Sequence, residues 1–179
     1  IYQQILLEQK WKGFITEDLR VHNATPYVRK AILEDAVVLS QHMRSIDKLE
    51  IKYSHNVTPI TALMTAFETK NGKNYSVVDD DGYVYAMFGV SDCLVNKGYG
   101  VIWLLCSNEL KKFPKRFYIE SKYWLDILQQ DYQIIYNYVY EKNWLSLKWL
   151  QLCGFTPIKK VKVGIKNKNF ILISRGKNK

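Results

Sequence analysis

The segment IIYNYVYEKNWLSLKWLQLCGF, residues 134–155, limits the possible folds of this chain more than any other stretch. Its first seven residues are β-branched or aromatic apart from one asparagine, a composition typical of a strand. After a polar break, Leu147, Leu150 and Cys153 recur at helical spacing, and Gly154 follows where a helix commonly ends in a left-handed residue. A strand that leads into a helix and then into another strand indicates an α/β domain.

The rest of the chain alternates between strand and helix patterns. An aspartate-rich turn closing on Gly82 joins two β-rich runs and predicts a hairpin. The almost wholly apolar run Val101 to Cys106 predicts a central strand that is covered on both faces. The remaining predicted strands are Val28 to Ile32, Tyr75 to Val78, Tyr83 to Val90, Ile158 to Val163 and Asn169 to Ser174.

Three further helices are predicted from apolar residues spaced three or four positions apart. The first has Glu34 and Asp35 in its first turn, the second begins at Thr58 and Pro59, and the third follows the polar connection Ser107 to Arg116. The predicted buried residues are Ala36, Leu39, Met43, Ile46 and Leu49 in the first, Ile60, Leu63, Met64 and Phe67 in the second, and Ile119, Tyr123, Trp124, Ile127 and Leu128 in the third.

Length and composition favour one domain, because 179 residues that are 47% hydrophobic can bury a single core. Residues 1–27 are too short to hold a core of their own. We therefore predict an N-terminal arm over residues 1–27, which packs on the domain or docks on a neighbouring chain, and a domain over residues 28–179. No run approaches the roughly 18 apolar residues of a membrane-spanning helix, and the first residues lack the pattern of a signal peptide.

The cysteine and histidine pattern gives no reason to expect a metal site. Cys93, Cys106 and Cys153 each stand in an apolar context and without metal-like spacing, which predicts reduced thiols that pack in the core. The three histidines are scattered, and none adjoins a cysteine or a second histidine. The turn Asp79 to Asp81 lacks the ligand spacing of a calcium loop.

The formal net charge of +9 is confined to the C-terminal part of the chain. Eight lysines and arginines follow Phe155, no acidic residue follows Glu141, and without those eight cations 18 basic residues face 17 acidic ones. The cations alternate with apolar residues, so they are expected to form the solvated faces of the last hairpin. The alternative is a basic ribbon that contacts phosphates or an acidic partner, with strongly salt-dependent binding.

The order of predicted elements resembles that of the GCN5-related N-acetyltransferase (GNAT) fold, from about Tyr27 to Arg175. This resemblance implies an α/β (α+β) domain with a mixed, largely antiparallel central sheet flanked by helices. The phrases VRKAILEDA, YGVIWLLCSNELKKFPKRF, SKYWLDIL, NYVYEKN and SLKWLQLCGF also resemble the internal virion protein A family of short-tailed phages, whose members carry a GNAT-like domain. That likeness implies other phage virion or assembly proteins as partners, and a location in the virion or in the host cytoplasm during infection.

The GNAT resemblance implies a place for acetyl-CoA, which the family binds through its central strand and a glycine-rich loop that opens the next helix. The matching segment Ser107 to Phe117 contains no glycine and has Pro114 in its middle, so the lysines and Arg116 there would have to replace the loop. If acetyl-CoA binds, the resemblance implies as cofactor-binding residues Leu104, Leu105, Cys106, Ser107, Lys115, Arg116, Asn143 and Ser146.

Few of the residues that catalyse acetyl transfer in GNAT enzymes have a counterpart in this sequence. Leu150 stands where many GNAT enzymes have a tyrosine that acts as general acid, and a leucine transfers no proton. Asp92 and Glu109 are loosely placed candidates for a general base, so no catalytic residue is predicted. Asn143 and Ser146 have a second interpretation, in which Asn143 caps the last helix and Ser146 lies in its first turn.

Three hypotheses follow from the sequence. In the first, a GNAT-like domain without acetyltransferase activity and without a cofactor serves as a scaffold in a phage particle or its assembly, and the arm and the basic hairpin contact virion proteins or DNA. The second is an active N-acetyltransferase that uses acetyl-CoA with a divergent phosphate loop. The third is a DNA-binding module that depends on the C-terminal lysines.

Overall fold

The computed structural model describes residues 25–177, and the predicted arm lies outside these residues except for its last three. The polypeptide forms seven strands, five α-helices and one 3₁₀-helix in this range. In chain order they are β1 (Tyr27–Lys30), α1 (Leu33–His42), α2 (Ser45–Ser54), α3 (Pro59–Glu68), β2 (Lys73–Val78), β3 (Val84–Asp92), β4 (Tyr99–Cys106), the 3₁₀-helix (Asn108–Lys112), α4 (Pro114–Gln129), β5 (Ile134–Tyr140), α5 (Trp144–Leu152), β6 (Thr156–Val163) and β7 (Lys168–Gly176).

The strands form one sheet in the order β1-β2-β3-β4-β5-β7-β6. Every neighbouring pair is antiparallel except β4 and β5, which are parallel. The parallel pair is short, because residues 99–101 pair with residues 134–136 and the pairing then stops. The prediction of a mixed, largely antiparallel sheet flanked by helices is confirmed, and β4 is its middle strand.

Helices cover both faces of the sheet. Alternate residues of β4 point to opposite sides, so this one strand contacts the helices of both faces. Trp103 and Leu105 pack in a cluster with residues of α1, α2 and α3. Ile102 packs in the other main cluster, together with Leu125 of α4 and Leu150 of α5. The predicted coverage of the central strand on both faces is therefore confirmed for residues 102–105.

The segment at residues 134–155 folds as the sequence predicts. β5 spans the expected seven residues, and α5 follows it after a short break. Gly154 has φ of 90°, and the Phe155 N–H donates to the Leu150 carbonyl at 3.0 Å, as in a helix that ends through a left-handed residue. Thr58 caps α3 with Pro59 at the first helical position, as predicted.

The single helix predicted to extend from Glu34 to Leu49 is wrong. The chain forms α1 and α2 there, with the extended residues Met43 and Arg44 between them. The Arg44 N–H donates to the Cys106 carbonyl at 2.8 Å, so the break gives the junction a hydrogen bond to the end of β4. A contact between residues so distant in sequence is not visible in helical periodicity.

The predicted buried face of α4 is partly wrong. Ile119 is 58% exposed and Tyr123 is 62% exposed, whereas Leu125 and Leu128 are buried. α4 begins at Pro114, and the stripe that meets the sheet continues from Leu125 and Leu128 back to Ser121. The aromatic and β-branched residues on the other side of the helix remain in contact with solvent.

Two general features of residues 25–177 bear on function. None of the helices in this range combines the length and the apolar character needed to cross a membrane. The same residues contain no group of three or more histidine, cysteine, aspartate or glutamate side chains arranged to hold a metal ion.

We expect Gly164→Ala to destabilise the fold more than Gly82→Ala. Both glycines have positive φ, 70° and 81°, so alanine is strained at either position by about 1 kcal/mol. A Cβ at Gly164 would also lie 1.8 Å from the carbonyl oxygen of Tyr53 at the end of α2, whereas nothing lies within 4 Å of a Cβ at Gly82. Urea unfolding should show an additional loss of about 1–3 kcal/mol for Gly164→Ala. Equal losses would contradict the close packing of the β6–β7 turn on α2.

Candidate functional site

The divergence of β4 and β5 opens a cavity beside the middle of the sheet. Beyond residues 101 and 136 the two strands no longer pair, and a cavity of about 100 Å³ lies between them, α4 and α5. Its lining includes Ile102 and Leu104 from β4, Asn137 and Val139 from β5, and Glu50 from α2. This split is the candidate functional site.

Aromatic rings form much of the cavity wall. Phe117 of α4 stacks on Trp149 of α5, with ring centroids 5.1 Å apart and planes 26° apart. Phe88, Phe113 and Trp124 also line the cavity. The stack joins the two helices across the split, so side chains fill much of the space that the diverging strands create.

Helix α2 closes the split from the opposite face of the sheet. The Asp47 carboxylate accepts a hydrogen bond from the Cys106 N–H at 2.9 Å, and the Arg44 N–H donates to the Cys106 carbonyl. The Arg44 guanidinium pairs with Asp47 at 2.6 Å and donates to the Ser146 hydroxyl of α5 at 3.3 Å. Both backbone groups at the end of β4 are thereby paired within the chain.

Glu50 lies one helical turn after Asp47 and contacts the end of β5. Its Oε2 accepts from the Tyr140 N–H at 3.1 Å and from the Asn143 side-chain amide at 3.0 Å. Within residues 25–177, no hydrogen bond reaches Oε1. Burial raises the pKa of Glu50 to about 7, and the nearby Asp47 charge adds to this, while the hydrogen bonds from Asn143 and Tyr140 oppose it. A carboxylate that titrates near neutrality and lines a cavity can accept a proton from a bound donor.

The structure brings together half of the residues for which the sequence implied a role in cofactor binding. Leu104, Arg116, Asn143 and Ser146 line the cavity. The other four do not: Leu105 packs on the opposite face of the sheet, Cys106 and Ser107 are buried with their N–H groups paired, and Lys115 is exposed beside a shallow surface depression.

The helix-capping interpretation of Asn143 is wrong. Asn143 occupies the position before α5, but its side chain makes no capping hydrogen bond and donates to Glu50 instead. The amide nitrogen of Asn143 donates to the buried Glu50 carboxylate, which orients this side chain toward α2.

The two carboxylates considered as general bases lie elsewhere. Asp92 accepts hydrogen bonds from Asn71 and Tyr132, and Glu109 pairs with Lys112. Sequence reasoning missed Glu50, a carboxylate of α2 that lines the cavity and whose pKa burial raises. The only local signal was its spacing of three residues from Asp47, which places both on one side of α2.

Solved structures of N-acetyltransferases align with most of this chain. AAC(6′)-Ib in complex with ribostamycin and coenzyme A aligns with a TM-score of 0.63 at 10% identity, over 86% of this chain and 94% of that one. This chain has the GNAT fold. Spermidine N-acetyltransferase from Vibrio cholerae in complex with CoA and spermine aligns at 0.61 and 11% identity, over 83% of this chain and 94% of that one.

A Streptococcus mutans protein aligns with a TM-score of 0.65 at 13% identity, over 84% of this chain and 98% of that one. No protein-family model matches the sequence, and no curated protein is significantly similar to it. At these identities the structural likeness establishes the fold of the chain and leaves its activity to be argued from the site.

The residues at the split fit acetyl-CoA poorly. The cavity of about 100 Å³ is smaller than the roughly 300–1,000 Å³ of ordinary ligand pockets. The N–H and carbonyl of Cys106 are already paired with Asp47 and Arg44. The segment before α4 forms a 3₁₀-helix without glycine, and Pro114 at the first position of α4 removes a donor that phosphate would need.

We expect Glu50→Gln to change how stability depends on pH. The folded-state pKa is raised from 4.5 to about 7, so the native state binds more protons than the unfolded state between these values, and stability falls as pH rises through this window. Glutamine keeps an oxygen for the two donors and removes the titration. The variant should therefore be more stable than wild type at pH 8, by on the order of 2 kcal/mol, and similar to it near pH 5.

The measurement is urea unfolding at pH values from about 5 to 8. Glu68→Gln, at the exposed end of α3, is the matched control and should leave the profile unchanged. Parallel profiles for wild type and Glu50→Gln would show that Glu50 does not titrate in this window.

Proposed function

We propose that this chain is a GNAT-fold scaffold of a phage particle or of its assembly pathway, and that it does not catalyse acetyl transfer. The proposal rests on the contacts at the split. Asp47 and Arg44 already pair with the N–H and carbonyl of Cys106 at the end of β4, and the Phe117–Trp149 stack fills the space between α4 and α5. An acetyl-CoA site requires open backbone donors at this place. The virion part of the proposal is supported by the phrases that resemble the internal virion protein A family.

A scaffold acts through its surfaces, and two regions are proposed to make the contacts. One is the arm over residues 1–27, and the other is the basic β6–β7 hairpin, where every residue of β6 from Thr156 to Lys160 is exposed. Other virion or assembly proteins are the proposed partners, with non-specific DNA as a possible ligand of the hairpin lysines. The proposed location is the virion, or the host cytoplasm during infection.

The test of the virion role is the protein composition of purified particles. We expect peptides of this chain in gradient-purified particles of the phage that encodes it, at a constant ratio to the major capsid protein across the gradient. Particles stripped of loosely attached material by a high-salt wash should retain them. Peptides found in the infected-cell lysate and absent from washed particles would contradict a virion location.

The second candidate function is N-acetyl transfer from acetyl-CoA with a divergent phosphate site. Glu50 favours it, because its carboxylate lines the split and burial raises its pKa to about 7, a value suited to a general base. In this alternative the backbone of residues 104–107 would hold the pantetheine arm, Lys115 and Arg116 the phosphates, and Asn143 with Ser146 the remaining cofactor groups. Rearrangement of the 3₁₀-helix would have to free the backbone N–H groups that bind the cofactor.

Calorimetric titration with acetyl-CoA separates the two candidates. The scaffold predicts no saturable heat at millimolar acetyl-CoA, because the donors at the end of β4 are paired within the chain. The enzyme predicts one-to-one binding that the double variant Lys115→Ala/Arg116→Ala abolishes while Lys166→Ala, in the β6–β7 turn, leaves it intact. Saturable binding followed by acetylation of an amine would overturn the scaffold proposal.

A further inference from the structure

One face of the sheet carries apolar and aromatic side chains that no described helix covers. We call it the tyrosine face, and it consists of Tyr99, Val101, Tyr136, Tyr138 and Leu172. Val101 lies opposite Tyr136, and Tyr138 lies opposite Leu172, so these side chains are neighbours on one side of β4, β5 and β7. None of the five belongs to the buried clusters of residues 25–177.

The helices that share this side of the sheet lie elsewhere. α1, α2 and α3 pack on β2, β3 and the second half of β4, where Trp103 and Leu105 are their contacts. At the far end of β5, Tyr140 is in edge contact with Tyr53 of α2. Between these two contacts no helix of residues 25–177 covers the tyrosine face, and the Cys93 thiol after β3 reaches the Tyr136 hydroxyl at 3.2 Å.

The rings of the tyrosine face form a row across two adjacent strands. The centroids of Tyr99 and Tyr136 are 6.4 Å apart, and those of Tyr136 and Tyr138 are 6.2 Å apart. Tyr138 is 40% exposed and its hydroxyl has no hydrogen-bond partner in residues 25–177. A row of partly exposed rings on the open face of a sheet is a surface on which unpaired bases can stack.

The charges around the tyrosine face are positive. Two rows of paired residues cross it, and neither contains a carboxylate. One row consists of Ser91, Val101, Tyr136, Ser174 and Thr156, and the other of Tyr138, Leu172 and Lys159. Lys159 makes no ion pair within residues 25–177.

Its neighbour Lys160 projects to the opposite face and pairs with Glu141 at 2.9 Å. Lys97 is exposed and precedes Tyr99, the first ring of the row, by two residues. The cations on the tyrosine face are therefore available to a ligand, whereas those on the opposite face are partly neutralised.

We propose that the tyrosine face binds single-stranded nucleic acid. Bases stack on Tyr136 and Tyr138, and Lys97 and Lys159 meet the phosphates. Unpaired bases and a negative backbone complement exposed rings flanked by cations without carboxylates. Duplex DNA keeps its bases stacked inside the helix, so this face should prefer single strands. The proposal goes beyond the scaffold function and does not depend on whether acetyl-CoA binds.

The test is fluorescence anisotropy with a labelled oligothymidine and the full chain, at about 50 mM and 200 mM salt. Tyr138→Ala should weaken binding about tenfold, and Tyr138→Phe should restore it, because stacking needs the ring and not the hydroxyl. The matched control is Tyr123→Ala on α4, where the ring is 62% exposed and distant from the sheet face. This control should bind as wild type does.

The salt dependence tests the role of the lysines separately. Lys159→Ala should reduce the slope of log K against log salt by about 0.7, the contribution of one phosphate contact to a single strand. Lys148→Ala, exposed on α5 at the opposite side of the sheet, should leave the slope unchanged. Unlabelled duplex of the same length should compete at least tenfold more weakly than the single strand.

Each other outcome overturns the proposal. Equal weakening by Tyr138→Ala and Tyr123→Ala excludes stacking on this face. Duplex binding as tight as single-strand binding, lost in Lys160→Ala/Lys162→Ala, assigns nucleic-acid contact to the hairpin instead. Absence of binding at low salt by protein with a native circular-dichroism spectrum, together with a Tyr138-dependent shift in sedimentation, assigns the face to a second copy of the chain.

Discussion

The hydrogen bonds that α2 makes to the diverging ends of β4 and β5 determine the character of the site. Among the strands of residues 25–177, β4 and β5 are the only parallel neighbours, and they separate after three residue pairs. Backbone groups beyond that point would lack partners. Asp47 and Arg44 satisfy those of Cys106, and Glu50 satisfies the N–H of Tyr140. Helix α2 and the residue before it thus supply, to two strands, the partners that a paired strand would otherwise provide.

Burial of the Asp47 and Glu50 carboxylates costs free energy, which the neighbouring groups offset. Asp47 is almost fully buried, and the Arg44 guanidinium pairs with it through two nitrogens. Removing one member of such a buried pair typically destabilises a protein by about 3–5 kcal/mol, because the other charge remains without a partner. Glu50 has no cation of comparable geometry, and burial raises its pKa instead. The same residues that join the strands therefore create the most perturbed carboxylate of the split.

The GNAT fold alone does not establish the activity of a GNAT enzyme. The chain aligns with solved acetyltransferases over most of its length. What differs is local: a glycine-free 3₁₀-helix where a phosphate loop is expected, Leu150 where a proton donor is expected, and paired backbone groups at Cys106. A fold can keep its core while the site changes, because the core depends on apolar burial and the site on a few polar groups.

Local sequence determined the elements whose signals lie within a few residues. The strand at residues 134–140, the left-handed end at Gly154, the Thr58–Pro59 start of α3 and the two hairpins all follow from composition, turn chemistry and periodicity. The apolar run of β4 was sufficient to place it in the middle of the sheet, since only a strand covered on both faces tolerates such a composition.

Tertiary structure alone decided the break between α1 and α2, the partner of Asn143 and the position of Glu50. Each depends on contacts between residues far apart in sequence: Arg44 with Cys106, and Glu50 with Asn143. Periodicity reports which side of a helix is apolar, and it carries no information about which distant backbone group needs a donor. The tyrosine face was hidden for the same reason, because its side chains come from three strands that become neighbours only when the sheet forms.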